Sequence, residues 1–312
     1  MRSIVAICGP TASGKSSLAI RLCKEFDGEV VSFDSMQIYR GFDVGTAKPS
    51  PSETAGVPHH LIDICDPSEK FSAADFIAAA DAAVEGIVAR GKTAVLCGGT
   101  GLYLDSFVSR RDYGELSQDD ALRASLAEIA AKQGNAALHA ILERLDPDAA
   151  RAIHQNNVKR VVRAIEICKL TGMTKTEWDK RAESVAPDRE VDTIILDFRD
   201  RDILYNRINA RVDEMISHGL VEEVKRLYSQ RFLDPSTTAS QAIGYKEMIP
   251  FIKGEIGFDQ AVENLKLATR HYAKRQLTWF KKSAGTRFFV DDYVSSDELA
   301  AAVIGFLKGG AT

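Results

Sequence analysis

The chain alternates short, uninterrupted apolar runs with longer stretches in which apolar residues recur every three or four positions. Such runs are typical of buried parallel strands, and the spacing between them is typical of crossover helices packed on a sheet. We therefore predict an α/β fold with a parallel sheet flanked by helices. The predicted strands are residues 4–8, 29–35, 58–64, 93–97 and 193–197.

The pattern changes between residues 113 and 189, where helical spacing continues without a strand-like run. Gly134 and Gly172 end two of these helices, and Pro147 lies at a first helical position. We interpret residues 113–189 as an inserted all-helical domain, and residues 1–112 with 190–312 as the α/β core. Predicted helices are residues 117–133, 135–145, 147–154, 158–170 and 174–181 in the insertion. In the core they are 202–230, 258–282 and an alanine-rich helix that opens at a capping box over 72–75 and ends near residue 91.

Residues 9–16 have the sequence GPTASGKS, which fits the phosphate-binding pattern G-x-x-x-x-G-K-[ST] between a strand and a helix. The glycines let backbone amides turn towards one anion, and the helix N-terminus adds partial positive charge. We predict a site for a di- or triphosphate, with Lys15 on the phosphates and the Ser16 hydroxyl on Mg²⁺. The predicted binding residues are Gly9, Thr11, Ala12, Ser13, Gly14, Lys15 and Ser16.

Further polar groups follow the carboxyl ends of other predicted strands, which is where ligands bind in open α/β sheets. Asp34 ends the second strand, and Thr100 follows two glycines after the fourth. We expect both side chains to lie near the phosphate loop. Arg207 and Arg211 are neighbours on one helix face and border its apolar stripe, from which they can lean into a cleft.

Lys159, Arg160 and Arg163 crowd the first turns of a predicted helix, where cations oppose the helix dipole. Binding of an external anion is a better explanation for these three cations than stabilisation of the helix. A charged face that is simply solvated is the alternative. The formal net charge of the chain is −4, so a nucleic-acid partner has to be bound by local basic clusters of this kind.

The five cysteines are scattered without metal-ligand spacing, and no apolar run approaches the roughly 18 residues of a membrane span. We expect reduced thiols, no zinc site, no membrane association and a cytoplasmic location.

Three classes of phosphate chemistry are compatible with the loop: a small-molecule kinase, a nucleotide-gated switch, and a transferase whose phosphate is the leaving group. A guanine-nucleotide switch normally carries N-K-x-D, which this sequence lacks. A kinase needs a strand-end Asp for Mg²⁺ and an arginine-rich lid; Asp34 or Asp197, with Arg123, Arg160 and Arg163, could serve. The residues alone leave kinase and transferase equally favoured.

An ordered set of further motifs separates these two classes, because together they resemble the bacterial tRNA dimethylallyltransferases. The resemblance extends from residue 4 to about residue 282, and its ordered set is far more specific than the loop motif alone. The motifs are residues 9–16, 33–39, 45–49, 58–63, 72–76, 97–100, 159–164, 244–245 and 273–279.

The resemblance implies transfer of the dimethylallyl group of dimethylallyl diphosphate to N6 of the adenosine immediately 3′ of the anticodon, with release of diphosphate. It implies Asp34 as general base, Thr100 and Arg211 as residues that steady the departing diphosphate, and a P-loop NTPase-like core. Mg²⁺ would be the cofactor, and the enzyme a monomer. The implied tRNA contacts are Asp34, Ser35, Met36, Gln37, Arg123, Lys159, Arg160, Val161, Val162, Arg163, Gln241, Ala242, Ile243, Gly244, Tyr245 and Lys246.

The sequence departs from the family pattern at two places. Gln241 and Lys246 stand where relatives often carry arginine, and Gly101 follows Thr100 where a larger residue is usual. The alternative to prenylation of tRNA is prenylation of free AMP. The long helical insertion is evidence against this alternative, because a mononucleotide does not need an additional domain to bind it.

Overall fold

The computed structural model describes residues 3–109, 118–183, 189–235 and 237–309. Two compact units make up the chain: Met1–Val108 together with Arg189–Thr312, and Ser109–Asp188. The first unit is an α/β core, and the elements described in the second are all helices joined by short turns. The predicted starts of the insertion at residue 113 and of its first helix at residue 117 lie outside the described residues.

Six strands of the described core form one parallel sheet in the order β3-β2-β4-β1-β5-β6, which confirms the predicted fold class. β1 lies between β4 and β5, and all five of its side chains are buried, as a continuous apolar run predicts. The strands are β1 Ile4–Cys8, β2 Gly28–Ser32, β3 His59–His60, β4 Thr93–Gly98, β5 Asp192–Asp197 and β6 Thr286–Phe289.

Helices precede and follow these strands and bury the faces of the sheet. In the core they are α1 Lys15–Glu25, α2 Pro51–Thr54, α3 Ala73–Ala89, α4 Gly101–Val108, α10 Arg201–Ser217, α11 Leu220–Ser229, α12 Ile249–Ile252, α13 Phe258–Phe280 and α14 Ser296–Leu307. In the helical unit they are α5 Asp120–Gln133, α6 Asn135–Leu145, α7 Pro147–Ala152, α8 Val158–Thr171 and α9 Lys175–Glu183. No helix in the described ranges combines the length and the apolar character needed to cross a membrane.

The pleat of β1 divides the apolar core between the two faces of the sheet. Val5 and Ile7 pack into a cluster with residues of α1, α10, α13 and α14. Ala6 and Cys8 point the other way and pack with residues of α3 and α4. Because successive side chains of a strand alternate between faces, both faces of this strand are covered by helices.

Several predicted elements differ from the observed ones. The single helix predicted over 202–230 is two helices, α10 and α11, because Gly219 adopts a left-handed conformation at φ 92° between them. The third strand is only two residues long, since it pairs with β2 alone at the edge of the sheet. The prediction did not contain β6, α4 or α14, all of which the structure describes.

Two smaller apolar clusters complete the packing. One joins the segment after β2 to α10, α11 and α13, and its largest fully buried side chains are Tyr39, Phe42 and Tyr245. The other lies within the helical unit, where Leu126, Leu138 and Val161 pack together. The helical unit therefore has an apolar core of its own.

Candidate active site

The phosphate loop connects the carboxyl end of β1 to α1, which begins at Lys15. Gly9 has a φ of 148°, and a Cβ there would lie 2.5 Å from the carbonyl oxygen of Leu196, so only glycine fits. Gly14 is left-handed at φ 89° and directly precedes the helix. Ser13 is buried, and its hydroxyl has no hydrogen-bond partner within the described residues. A buried hydroxyl without a partner suits a polar ligand in this loop.

Lys15 folds back over the loop, and its Nζ donates to the carbonyl oxygen of Pro10 at 2.5 Å. Burial lowers the pKa of Lys15 to about 8, and the nearby charge of Arg211 acts in the same direction, whereas Asp34 opposes the change. A desolvated cation gains most from an anion placed beside it. The loop therefore combines amides, a hydroxyl and an undercompensated cation at the end of the central strand.

Asp34 lies two residues beyond the end of β2, next to this loop, within electrostatic range of both Lys15 and Arg211. Its Oδ1 accepts the backbone N–H of Met36 at 2.9 Å, which orients the carboxylate. The N–H of the intervening residue Ser35 donates to Thr100 Oγ1 at 3.2 Å. The turn after β2 is thus tied to the turn after β4, so that Asp34 and Thr100 lie at the same edge of the sheet.

Two arginines of α10 also reach the loop. Arg207 Nε donates to the carbonyl oxygen of Ala12 at 2.8 Å, and Arg211 Nη1 lies 3.4 Å from Thr11 Oγ1. Burial lowers the pKa of Arg211, while Asp34 favours its charged form. The structure therefore brings together Asp34, Thr100, Arg211 and the predicted phosphate-binding residues.

Sequence reasoning assigned no role to two groups that complete this site. Gln276, from the buried face of α13, bonds to both Thr11 and Gly99, and Tyr272 lies beside Thr100 and Gln276. The sequence did contain one signal for Gln276. It is a polar residue on the apolar face of the helix, which it shares with Ala273, Leu277 and Phe280.

The structure gives a reason for the glycine at position 101. A Cβ on Gly101 would lie 2.3 Å from Cδ1 of Trp279, so the indole occupies the space of a side chain. Trp279 Nε1 donates to Asp105 Oδ2 at 2.8 Å, which holds the ring in that place.

The predicted tRNA-contact residues of the core differ in their accessibility. Ser35, Met36 and Gln37 are half-buried, and Gln37 Nε2 donates to the carbonyl oxygens of Thr46 and Ala47 at 3.2 and 3.3 Å. Tyr245 is fully buried, and its hydroxyl donates to Glu223 at 2.7 Å, so this side chain serves the core. Ala242 and Gly244 are buried and Ile243 is half-buried, whereas Gln241 and Lys246 are exposed.

In the helical unit, the fully buried carboxylate of Glu166 binds two of the four predicted basic residues, Arg123 and Arg163. It accepts Arg123 Nε and Nη2 at 2.8 and 2.7 Å and Arg163 Nη1 at 2.5 Å. Burial alone would raise the pKa of Glu166, but these bonds hold it below its ordinary value. For Arg163 the external anion inferred from the sequence is therefore unnecessary, because the compensating carboxylate is internal.

The other predicted contacts on α8 fall into two groups. Val161 and Val162 are buried in the core of the helical unit, so their side chains pack internally. Lys159 and Arg160 are exposed, and no ion pair engages them in the described part of the chain. They are the two basic side chains of this helix start that remain available to an external anion.

The sequence and the fold of this chain are similar to those of known transferases. The model of the IPP transferase family matches residues 37–283. The tRNA dimethylallyltransferase of Thermoanaerobacter sp. (strain X514) is 44% identical over 308 residues, covering 98% of each chain. That of Exiguobacterium sp. (strain ATCC BAA-1283 / AT1b) is 49% identical over 279 residues, covering 89% of this chain and 87% of the relative.

Solved structures give the same result. The tRNA isopentenylpyrophosphate transferase of Bacillus halodurans is 43% identical with a TM-score of 0.73, covering 99% of this chain and 96% of that one. A eukaryotic dimethylallyltransferase captured acting on tRNA is 28% identical with a TM-score of 0.82, covering 99% of this chain and 80% of that one. On its sequence, its sheet and the site at the end of that sheet, the chain belongs to the IPP transferase family.

Proposed function

We propose that this chain transfers the dimethylallyl group of dimethylallyl diphosphate to N6 of the adenosine immediately 3′ of the anticodon in tRNA, and releases diphosphate. The observation that carries the proposal is the oriented carboxylate of Asp34 within electrostatic range of Lys15 and Arg211. A base and an anion site adjoining each other are what an alkylation with a diphosphate leaving group requires.

In the proposed reaction a C–N bond forms between N6 and the allylic carbon while the C–O bond to diphosphate breaks. An exocyclic adenine amine is a weak nucleophile because its lone pair is delocalised into the ring. Asp34 accepts the N6 proton as the new bond forms, an effect worth about 10²- to 10⁴-fold in rate. The diphosphate leaves with the bonding electron pair towards Lys15, Arg211 and the loop amides, which are in place before charge develops.

The Ser16 hydroxyl is the protein ligand that we propose for Mg²⁺. The described residues contain no group of three or more His, Cys, Asp or Glu able to hold a metal ion. Ser16 stands at the start of α1 next to Lys15, and in loops of the G-K-[ST] pattern this hydroxyl binds Mg²⁺ together with phosphate oxygens. Bound there, the ion would offset the charge of the leaving diphosphate.

We further propose that the exposed cations Lys159 and Arg160 contact the tRNA backbone and that the adenosine is reached in the single-stranded anticodon loop. Unstacking a base costs least in such a loop. Action as a monomer in the cytoplasm belongs to the same proposal.

The direct test is incubation of the purified protein and Mg²⁺ with labelled dimethylallyl diphosphate and an anticodon stem-loop bearing adenosine 3′ of the anticodon. We expect label in the RNA, none when guanosine replaces that adenosine, and none in AMP supplied instead. Label in AMP at a comparable rate would favour the free-nucleotide activity. Conversion of ATP to ADP with transfer of its γ-phosphoryl group to a small-molecule acceptor, without prenyl transfer, would favour a kinase.

A further inference from the structure

Gln276 is a buried polar side chain whose bonding reaches across the site. It is 5% exposed and lies on the inward face of α13 among Ala273, Leu277 and Phe280, which are buried as well. Burying an amide among apolar groups is unfavourable unless its hydrogen bonds are satisfied. The partners of Gln276 therefore explain why an amide occupies this position.

Those partners belong to two different strand ends. Oε1 of Gln276 accepts the backbone N–H of Thr11, in the phosphate loop after β1, at 2.8 Å. Nε2 donates to the carbonyl oxygen of Gly99, in the turn after β4, at 3.0 Å. One side chain thus connects the phosphate loop to the turn that carries Thr100.

The space around this bridge leaves little freedom. A Cβ on Gly99 would lie 2.1 Å from Nε2 of Gln276 and 3.6 Å from the carbonyl oxygen of Gly9. The glycine therefore provides the room in which the amide lies between the two turns. Gln276 binds the backbone N–H of Thr11, and the Thr11 hydroxyl oxygen lies 3.4 Å from Arg211 Nη1.

We propose that Gln276 is a positioning residue that holds the phosphate loop in the conformation that binds the diphosphate. It acts through Thr11 and Gly99, not by touching the substrate, and it couples the loop to helix α13. This role deepens the proposed function and rests on it for the identity of the natural ligand.

The test compares Gln276→Met, which keeps the size but removes both bonds, with Gln276→Glu, which keeps only the acceptor for Thr11. The control is Gln260→Met, an exposed glutamine near the start of the same helix. Kd for inorganic pyrophosphate is measured by calorimetry with Mg²⁺, and KM and kcat are measured for dimethylallyl diphosphate and for the stem-loop.

For Gln276→Met we expect Kd for pyrophosphate and KM for dimethylallyl diphosphate to rise about tenfold, because the loop loses both hydrogen bonds that hold its binding conformation, and each such bond changes an equilibrium constant by up to roughly tenfold. KM for the stem-loop should stay within about twofold of wild type. Gln276→Glu should weaken pyrophosphate binding further, because it adds negative charge and faces Gly99 with an acceptor. Gln260→Met should match wild type.

Two results would overturn the positioning role. One is an unchanged Kd for pyrophosphate in both Gln276 variants; the other is a fall in kcat with both KM values unchanged, which describes a purely structural residue. Prenyl transfer by the wild type tests the proposed function separately. If that transfer is absent, the pyrophosphate measurements still decide whether Gln276 positions the loop.

Discussion

Asp34 owes its orientation to its own backbone, because Oδ1 accepts the N–H of Met36 two residues ahead. Such a turn orients a carboxylate without an ion pair, because only one of its oxygens accepts the backbone N–H. The second oxygen can then accept a proton from a substrate. The place of Asp34 near the carboxyl end of β2 was predictable from a local pattern, although β2 ends at Ser32, before the predicted end at residue 35. Its hydrogen bond was not, since the geometry of the turn depends on where β2 ends.

Asp34→Asn should lower the rate of prenyl transfer by about 10²- to 10⁴-fold while changing tRNA affinity by no more than about threefold. Asparagine keeps an acceptor for the turn but removes the base. Single-turnover transfer and filter binding measure the two quantities. Asp27→Asn, at the amino end of β2 and exposed, is the control and should behave as wild type. Near-normal turnover of Asp34→Asn would refute the assignment of the base.

Gln276 and Glu166 illustrate two limits of single-residue reasoning from sequence. The partners of Gln276 are 265 and 177 residues away along the chain, so no local pattern reveals them. The pair between Arg163 and Glu166 has the i,i+3 spacing of a helical ion pair and was visible in the sequence. The spacing did not predict that Glu166 is buried, or that it also binds Arg123.

At the scale of elements, the segment after β2 depends on one carboxylate of α11. Glu223 accepts the backbone N–H groups of Asp43, Val44 and Gly45 at 2.9 to 3.1 Å, together with the hydroxyl of Tyr245. Both carboxylate oxygens are engaged, so Glu223 holds the loop by its backbone, while Lys48 adds an ion pair to the side chain of Asp43.

Glu223→Gln should reduce the free energy of unfolding by about 2 kcal/mol, because either amide orientation turns an NH₂ group towards donors. Hydrogen exchange at residues 43–45 should accelerate selectively. Urea unfolding and exchange measured by mass spectrometry provide the two readouts. Glu222→Gln, at the neighbouring exposed position, should leave both unchanged. Equal exchange in the two variants would show that the loop is held elsewhere.

The start of α8 carries the second prediction at this scale. Arg160→Ala should weaken tRNA binding and reduce the slope of log K against log salt by about 0.9, the value for one lost phosphate contact on a duplex. Arg151→Ala, which removes an exposed arginine paired with Asp148, is the control in the same unit. Filter binding over a salt series gives both slopes. An unchanged slope for Arg160→Ala would assign that residue to a solvated face.

Elements were predicted well where one pattern filled a whole strand or helix, and poorly where it was short or interrupted. β1 is apolar throughout and was predicted residue for residue. β6 has only four residues and contains Thr286 and Arg287, so its pattern is weak. The break at Gly219 was missed because apolar spacing continues across it, and only its left-handed backbone separates α10 from α11.

At the scale of the whole molecule, the core is one packed body formed by two distant parts of the chain. Arg189 stacks on Phe107, with Cζ 4.5 Å from the ring centroid, and also pairs with Asp81. The end of the first core segment and the start of the second are therefore neighbours, as an insertion into one sheet domain requires. The residues that meet there could not be predicted from a local pattern.

Replacing residues 109–188 with a short glycine–serine linker should give a folded core. Its Kd for inorganic pyrophosphate should stay within about threefold of the full chain, because the phosphate loop and its partners all lie in the core. Binding of tRNA should be lost. Thermal unfolding followed by circular dichroism, calorimetry and filter binding test these three outcomes. A shortened protein that does not unfold cooperatively would show that the core needs the insertion to fold.

The stacking of Arg189 on Phe107 bears on how the length of the helical unit can vary in evolution. A stretch whose two ends emerge side by side is closed like a loop, and each doubling of its length adds only about 0.6 kcal/mol of entropic cost. The entropic cost of closing the core around the helical unit therefore depends only weakly on how many residues that unit contains, so the core sets little limit on its length.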